Sequence, residues 1–151
     1  MKEFENIQDI LTFAINQEQE AVDFYNDLSS RSVNREMKEI FQQFAREEMQ
    51  HKAKLLAIEE QGFFDNSIEK IIDLKISDYI VQVHYTPQMT YQDALVLAMK
   101  KEKSAFKLYM NLSNKTANKE LKDLFLMLAM EESKHKLRFE IEYDENVLKE
   151  N

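Results

Sequence analysis

Apolar residues recur along this chain in alternating steps of four and three, in four separate stretches. In the first, Ile7, Leu11, Ala14, Glu18, Ala21, Tyr25 and Leu28 share one face of a helix expected from about Glu5 to Ser29. The second stretch places Met37, Phe41, Phe44, Glu48, His51, Leu55 and Ile58 on one face between Arg35 and Gln61. A third helix starts after Thr90, with Tyr91, Leu95, Ala98, Glu102, Ala105, Tyr109 and Leu112 on its seam. The fourth runs from about Lys119 to Leu148 and shows Leu121, Phe125, Leu128, Glu132, His135 and Phe139. The end signals agree with the periodicity. Asn34 and Asn118 are N-caps for the second and fourth helices, Thr90 with Asp93 forms a variant capping box, and Gly62 is placed to end the second helix.

The four stretches are two copies of one pattern. Residues 14–52 align with 98–136 at a constant offset of 84 without a gap, and 15 of the 39 positions are identical. Ordinary residue frequencies would supply only about two or three. Loops of about five residues inside each copy make each a helical hairpin. Residues 62–90 are too long for a tight turn and serve as a crossover spanning a bundle about 38 Å long. Ile68, Ile71, Ile72, Ile76, Tyr79, Ile80 and Val83 follow helical spacing there, and their β-branching leaves a strand open. The favoured expectation is a short amphipathic helix on the outside of the bundle or at a subunit contact. The expected fold is therefore all-α, a single four-helix-bundle domain over residues 1–151.

Composition narrows the function. Gly and Pro occur once each, which few folds except helical ones tolerate. There is no Cys, so disulfide scaffolds, thiolate zinc sites and iron–sulfur centres are excluded within this sequence. The net charge of −8 argues against a general nucleic-acid binder and suits cation uptake, or only solubility. No stretch reaches the roughly 18 apolar residues of a membrane span. The start Met-Lys-Glu-Phe-Glu lacks the apolar core of a secretion signal, so the cytoplasm is the expected compartment, with no membrane partner.

Six polar residues stand where the pattern calls for apolar ones. Glu18, Glu48, Glu102 and Glu132 have Leu, Phe, Ala or Tyr as seam neighbours one turn away. A bare carboxylate buried there costs several kcal/mol, and four in one cross-section repel one another. Two divalent cations cancel four negative charges. In each copy a lone Glu is followed 30 residues later by Glu-x-x-His, Glu48/His51 and Glu132/His135. That spacing puts both side chains on one helix face, within reach of one ion. A single Glu-x-x-His is a weak signal; two on seam positions, each preceded by Glu at the same distance, are a strong one. The set is the ligand inventory of a dinuclear metal centre in a four-helix bundle.

Tyr25 and Tyr109 lie two turns past the lone Glu residues on the same faces. They read either as core aromatics or as hydrogen-bonding groups that orient a ligand carboxylate of the opposite half. Glu47 and Glu131 also repeat and read as a solvated face. His84 has no counterpart and reads as a surface or interface histidine. The eight Met residues read as core filling.

On these residues the chain resembles the rubrerythrin branch of the ferritin-like superfamily over nearly its whole length. The matching text is Ala14-Ile-Asn-Gln-Glu18-(x)6-Tyr25, Arg46-Glu-Glu48-Met-Gln-His51, Ala98-Met-Lys-Lys-Glu102-(x)6-Tyr109 and Met130-Glu-Glu132-Ser-Lys-His135. The resemblance implies a di-iron centre that reduces hydrogen peroxide or dioxygen, an oxidoreductase of peroxidase type that limits oxidative stress. Its metal ligands would be Glu18, Glu48, His51, Glu102, Glu132 and His135, with Tyr25 and Tyr109 tuning them. Iron is expected, with manganese or zinc as substitutes.

Two departures bear on that expectation. Full-length rubrerythrins carry a Cys-rich rubredoxin domain, so electrons here would come from an external donor such as a separate rubredoxin. A further family Glu, three residues after the third-helix ligand, is Ala105 here. The remaining six ligands look as much like those of bacterioferritin, and Met49 stands where that protein carries its haem-ligand Met. Iron binding, oxidation or storage is therefore the alternative function, though the short fifth helix of ferritin cages is not expected after His135. A third reading keeps the metals as structural staples. A homodimer is expected, its two-fold contact most simply formed by the apolar stripe of the crossover.

Overall fold

The computed structural model describes residues 7–61, 78–81 and 83–150. Among them are four helices: α1 (Ile7–Arg31), α2 (Arg35–Gln61), α3 (Tyr91–Lys115) and α4 (Lys119–Glu150). α1 packs on α2 and α3 packs on α4, and each hairpin forms a compact unit. None of the described helices is long and apolar enough to cross a membrane.

The joints are tighter than expected. α1 and α3 run on to Arg31 and Lys115, leaving three residues between helices instead of about five. Ser residues and carbonyls make this possible. Ser32 donates from its backbone N to the Leu28 carbonyl at 3.1 Å, closing the last turn of α1. Ser29 Oγ donates across the joint to the Lys38 carbonyl at 3.1 Å. Ser113 Oγ repeats that bond to the Lys122 carbonyl, also at 3.1 Å.

Capping follows the sequence reading. Asn34 Oδ1 accepts from the backbone N of Glu36 at 2.9 Å and of Met37 at 3.3 Å. Asn118 Oδ1 accepts from Glu120 at 2.9 Å and Leu121 at 3.2 Å. Thr90 caps α3 by accepting from the Asp93 backbone N. α2 ends at Gln61, and Gly62 lies outside the described residues. Replacing Asn34 or Asn118 with Ala should each lower stability by about 1 kcal/mol, because two orphan N–H groups lose their acceptor. Urea unfolding followed by circular dichroism measures it; no change would mean that water replaces the cap without cost.

The seams are buried as read, with a wider stripe than the sequence pattern alone shows. Leu11, Ala14, Tyr25, Leu28, Met37, Phe41, Leu55, Leu95, Ala98, Tyr109, Leu112, Phe125, Leu128 and Phe139 are all buried, as are the off-seam Ile10, Val22, Phe24, Leu97 and Leu108. Ala21, Tyr91 and Ala105 are only half-buried.

Two expectations need correction. Among the described connector residues, Tyr79, Ile80 and Val83 belong to turns and irregular backbone, not to an amphipathic helix. The reason is local. Tyr79 turns inward onto α3, where its carbonyl accepts from Ser104 Oγ and its hydroxyl accepts from Asn111 Nδ2 at 2.8 Å. Lys107 Nζ sits 5.8 Å from its ring centre. Burial pushes the Tyr79 hydroxyl pKa above its ordinary value of 10.0; the Asn111 bond opposes that shift and the Asp78 charge adds to it. Ile80 and Val83 do not share Tyr79's burial and are exposed in the single chain. The rest of that apolar pattern, Ile68 to Ile76, lies outside the described residues. The second correction concerns Met. Met37 alone among the described methionines is buried, whereas Met49 and Met130 stand in solvent.

Candidate metal centre

Hairpin geometry decides which side chains meet. In an antiparallel pair joined by three residues, a position some 15 residues before the joint lies level with one some 15 after it. Glu18 precedes the centre of the first joint by 15 residues; Glu48 and His51 follow it by 15 and 18. All three side chains are on inward seams, and they converge. His51 Nδ1 lies 3.5 Å from Glu18 Oε2 and 3.5 Å from Glu48 Oε1.

The second hairpin repeats the arrangement. His135 Nδ1 lies 3.6 Å from Glu102 Oε2 and 3.9 Å from Glu132 Oε1. In each triad the three residues offer donor atoms within 4.8 Å of one another, and all six residues are at most 2% exposed. The structure thus brings Glu18, Glu48 and His51 together in one hairpin, and Glu102, Glu132 and His135 together in the other.

The donor set fits a divalent transition metal. Two carboxylates and one imidazole nitrogen per triad suit iron, manganese or zinc, and the absence of thiolates disfavours softer ions. Carboxylates crowded together in an apolar surround are costly, and a cation seated among them offsets that cost.

Tyr25 and Tyr109 flank the triads from one end of each hairpin and are fully buried. Tyr25 meets Phe44 edge-on with ring centres 6.3 Å apart and stacks on Phe24 at 5.6 Å. Tyr109 stacks on Phe125 at 6.4 Å. These aromatic contacts fix the rings against the same helices that carry Glu48 and Glu132. Glu47 and Glu131 are half-buried, and His84 is exposed, as a surface histidine should be.

One buried carboxylate was not anticipated. Glu142, on α4, is 4% exposed and accepts from the Tyr91 hydroxyl at 3.0 Å. The signal was present: from His135 the seam continues by steps of four and three through Phe139 to Glu142. Its counterpart in the first half is Ile58, so the pair belongs to one hairpin only.

The family model of rubrerythrin matches residues 9–84 and 93–151. The chain belongs to the rubrerythrin family. Among solved structures it is similar to a Thermotoga maritima protein provisionally described as ferritin-like and diiron-carboxylate. The two share 23% identity over 97% of this chain and 99% of that one, with a TM-score of 0.77. A hypothetical protein from Pyrococcus furiosus is 26% identical over 89% of this chain and 85% of its own, with a TM-score of 0.69. No curated protein matches this rubrerythrin-family chain. The likeness shows the fold, ferritin-like with four helices in two repeated hairpins.

Proposed function

We propose that the two triads together hold a pair of iron ions and that the protein reduces hydrogen peroxide or dioxygen there with electrons from an external donor. The observation that carries this reading is the double occurrence of the same buried Glu, Glu, His triad. A structural staple could be made from one such set; two sets of matching chemistry provide for two metals and two electrons.

In this reading Glu18, Glu48 and His51 would hold one ion, and Glu102, Glu132 and His135 the other. A bound ferrous pair supplies two electrons to an O–O bond, one from each ion, so that hydrogen peroxide and two protons yield two waters. The remaining work is done by the chain. His51 and His135 bind through Nδ1, the atom each turns toward its two carboxylates. The aromatic and aliphatic seam residues exclude water, which strengthens every charge interaction within. Tyr25 and Tyr109 orient ligand carboxylates through their hydroxyls. Residues 1–151 contain no Cys, so electrons come from a redox centre outside them, for which a rubredoxin has suitable chemistry.

The test is metal analysis of protein purified without oxygen, followed by one addition of hydrogen peroxide watched optically. Two ions per chain and oxidation of the ferrous protein by a single equivalent are expected. One ion per chain, or a ferrous protein inert to peroxide, would defeat the proposal.

A further inference from the structure

The two triads are alike, but the charges around them are not. Because the repeat has no gap, residues 100–107 of α3 stand in register with 16–23 of α1, and each stretch contains its lone ligand Glu. Where α1 has Asn16, Gln17, Gln19 and Asp23, α3 has Lys100, Lys101, Lys103 and Lys107, and Glu20 becomes Ser104. Leaving out the ligands, α1 carries two negative charges there, Glu20 and Asp23, and α3 carries four positive ones. All lie within about 7.5 Å of helix rise from the ligand. The partner helices do not cancel the difference. Around Glu48, residues 43–56 carry a net +2 from Arg46, Glu47, Lys52 and Lys54. Around Glu132, residues 127–140 carry a net +1 from Glu131, Lys134, Lys136, Arg138 and Glu140. The second triad therefore has surroundings five charges more positive than the first, of which Glu142, buried farther along α4, offsets one.

Folding does not ask for these lysines. Lys100, Lys103 and Lys107 are exposed and neighbour one another at spacings of three and four, where like charges repel. α1 forms the same helix without them. A hydrogen bond widens the contrast. Lys52 Nζ donates to Gln19 Oε1 at 2.6 Å, tying α2 to α1 one residue past His51 and Glu18. The counterparts are Lys136 and Lys103, two cations that cannot bond each other, and Lys136 turns instead to Glu140 of its own helix.

We propose that the triads load in order, Glu18, Glu48 and His51 first, and that the lysines around Glu102 keep the second ion weakly held. This order rests on the two-ion reading of the site and adds a control to it. Four or five charges at about one helix diameter, screened by salt, lower the affinity for a divalent cation about tenfold. At metal concentrations between the two dissociation constants the chain holds one ion, with one ferrous electron to give. Reduction of hydrogen peroxide to two waters takes two electrons. The reaction therefore turns on only when metal is plentiful.

Calorimetric titration of the metal-free full chain with manganese(II) tests the order. Two ions should bind in two steps, with dissociation constants about tenfold apart at low salt. The gap should narrow in about 1 M salt, where screening acts within about 3 Å. His135→Ala should keep the tight step, and His51→Ala should lose it. Lys100→Asn, Lys101→Gln, Lys103→Gln and Lys107→Asp together copy α1 onto α3 and should bring the second step close to the first. Gln19→Lys makes the reverse copy and should weaken the first step. Equal affinities, a tight step lost with His135→Ala, or a second step unmoved by the four substitutions would each overturn the proposal. Two ions bound with equal affinity would leave the two-ion reading standing, whereas saturation at one ion would defeat both.

Discussion

Replacing Glu48 and Glu132 together with Ala should abolish stoichiometric metal binding and leave a helical protein. Each substitution removes the carboxylate that stands one turn from a histidine in its triad, 3.5 Å from His51 Nδ1 in one case and 3.9 Å from His135 Nδ1 in the other. Metal content should fall from two ions per chain to none retained after desalting. The effect on stability has the opposite sense. Without metal, these two buried carboxylates are a burden that folding must carry. Their removal should leave the metal-free protein no less stable, within about 1 kcal/mol, even though Ala leaves some space. Metal analysis and urea unfolding of the metal-free forms provide both readouts. Loss of helical circular dichroism in the metal-free variant would contradict the account, as would retention of two ions.

The largest loss of stability should come from the aromatic core beside the triads. Phe41 and Phe125 are counterparts in the repeat, and both are completely buried. Phe125 also holds the ring of Tyr109, with centres 6.4 Å apart. Truncating a buried Phe to Ala costs about 3–5 kcal/mol through lost transfer energy and the cavity left behind. Domains of this size are stable by about 5–15 kcal/mol, so Phe125→Ala should bring the protein close to unfolding. Phe41→Ala should cost a similar amount, because the two hairpins bury the same side chain in the same place. A measured cost under about 1 kcal/mol at either site would mean that neighbouring side chains collapse to fill the space.

Much of this was legible in the residues because the signal was written twice. A seam of apolar residues suggests a helix; a seam in which Glu and His recur at offset 84 also marks the residues that converge within each hairpin. Asn34 and Asn118 could be read as caps because a side-chain oxygen at that position has a single local task. The joints were harder. Ser29 and Ser113 are identical in the repeat, yet their bonds to the Lys38 and Lys122 carbonyls depend on a three-residue turn that periodicity does not reveal. Glu142 was missed because an acid near a helix C-terminus ordinarily faces water, and its tie to Tyr91 spans two helices. Tyr79 was misread for a different reason. Its helical spacing with Ile76, Ile80 and Val83 is genuine, but the polar groups of Ser104 and Asn111 on α3 capture its carbonyl and hydroxyl instead.

The closeness of each triad within its own hairpin also bears on how the protein is made. Glu18 and His51 are separated by 33 residues along the chain, as are Glu102 and His135. Every contact that assembles a triad therefore lies within one hairpin, closed by one short turn between two helices. A loop of that length costs less closure entropy than one spanning both halves of the chain. A newly synthesised chain can complete its first triad before the second has been translated, and the ligand sets arise as two independent events rather than one late convergence.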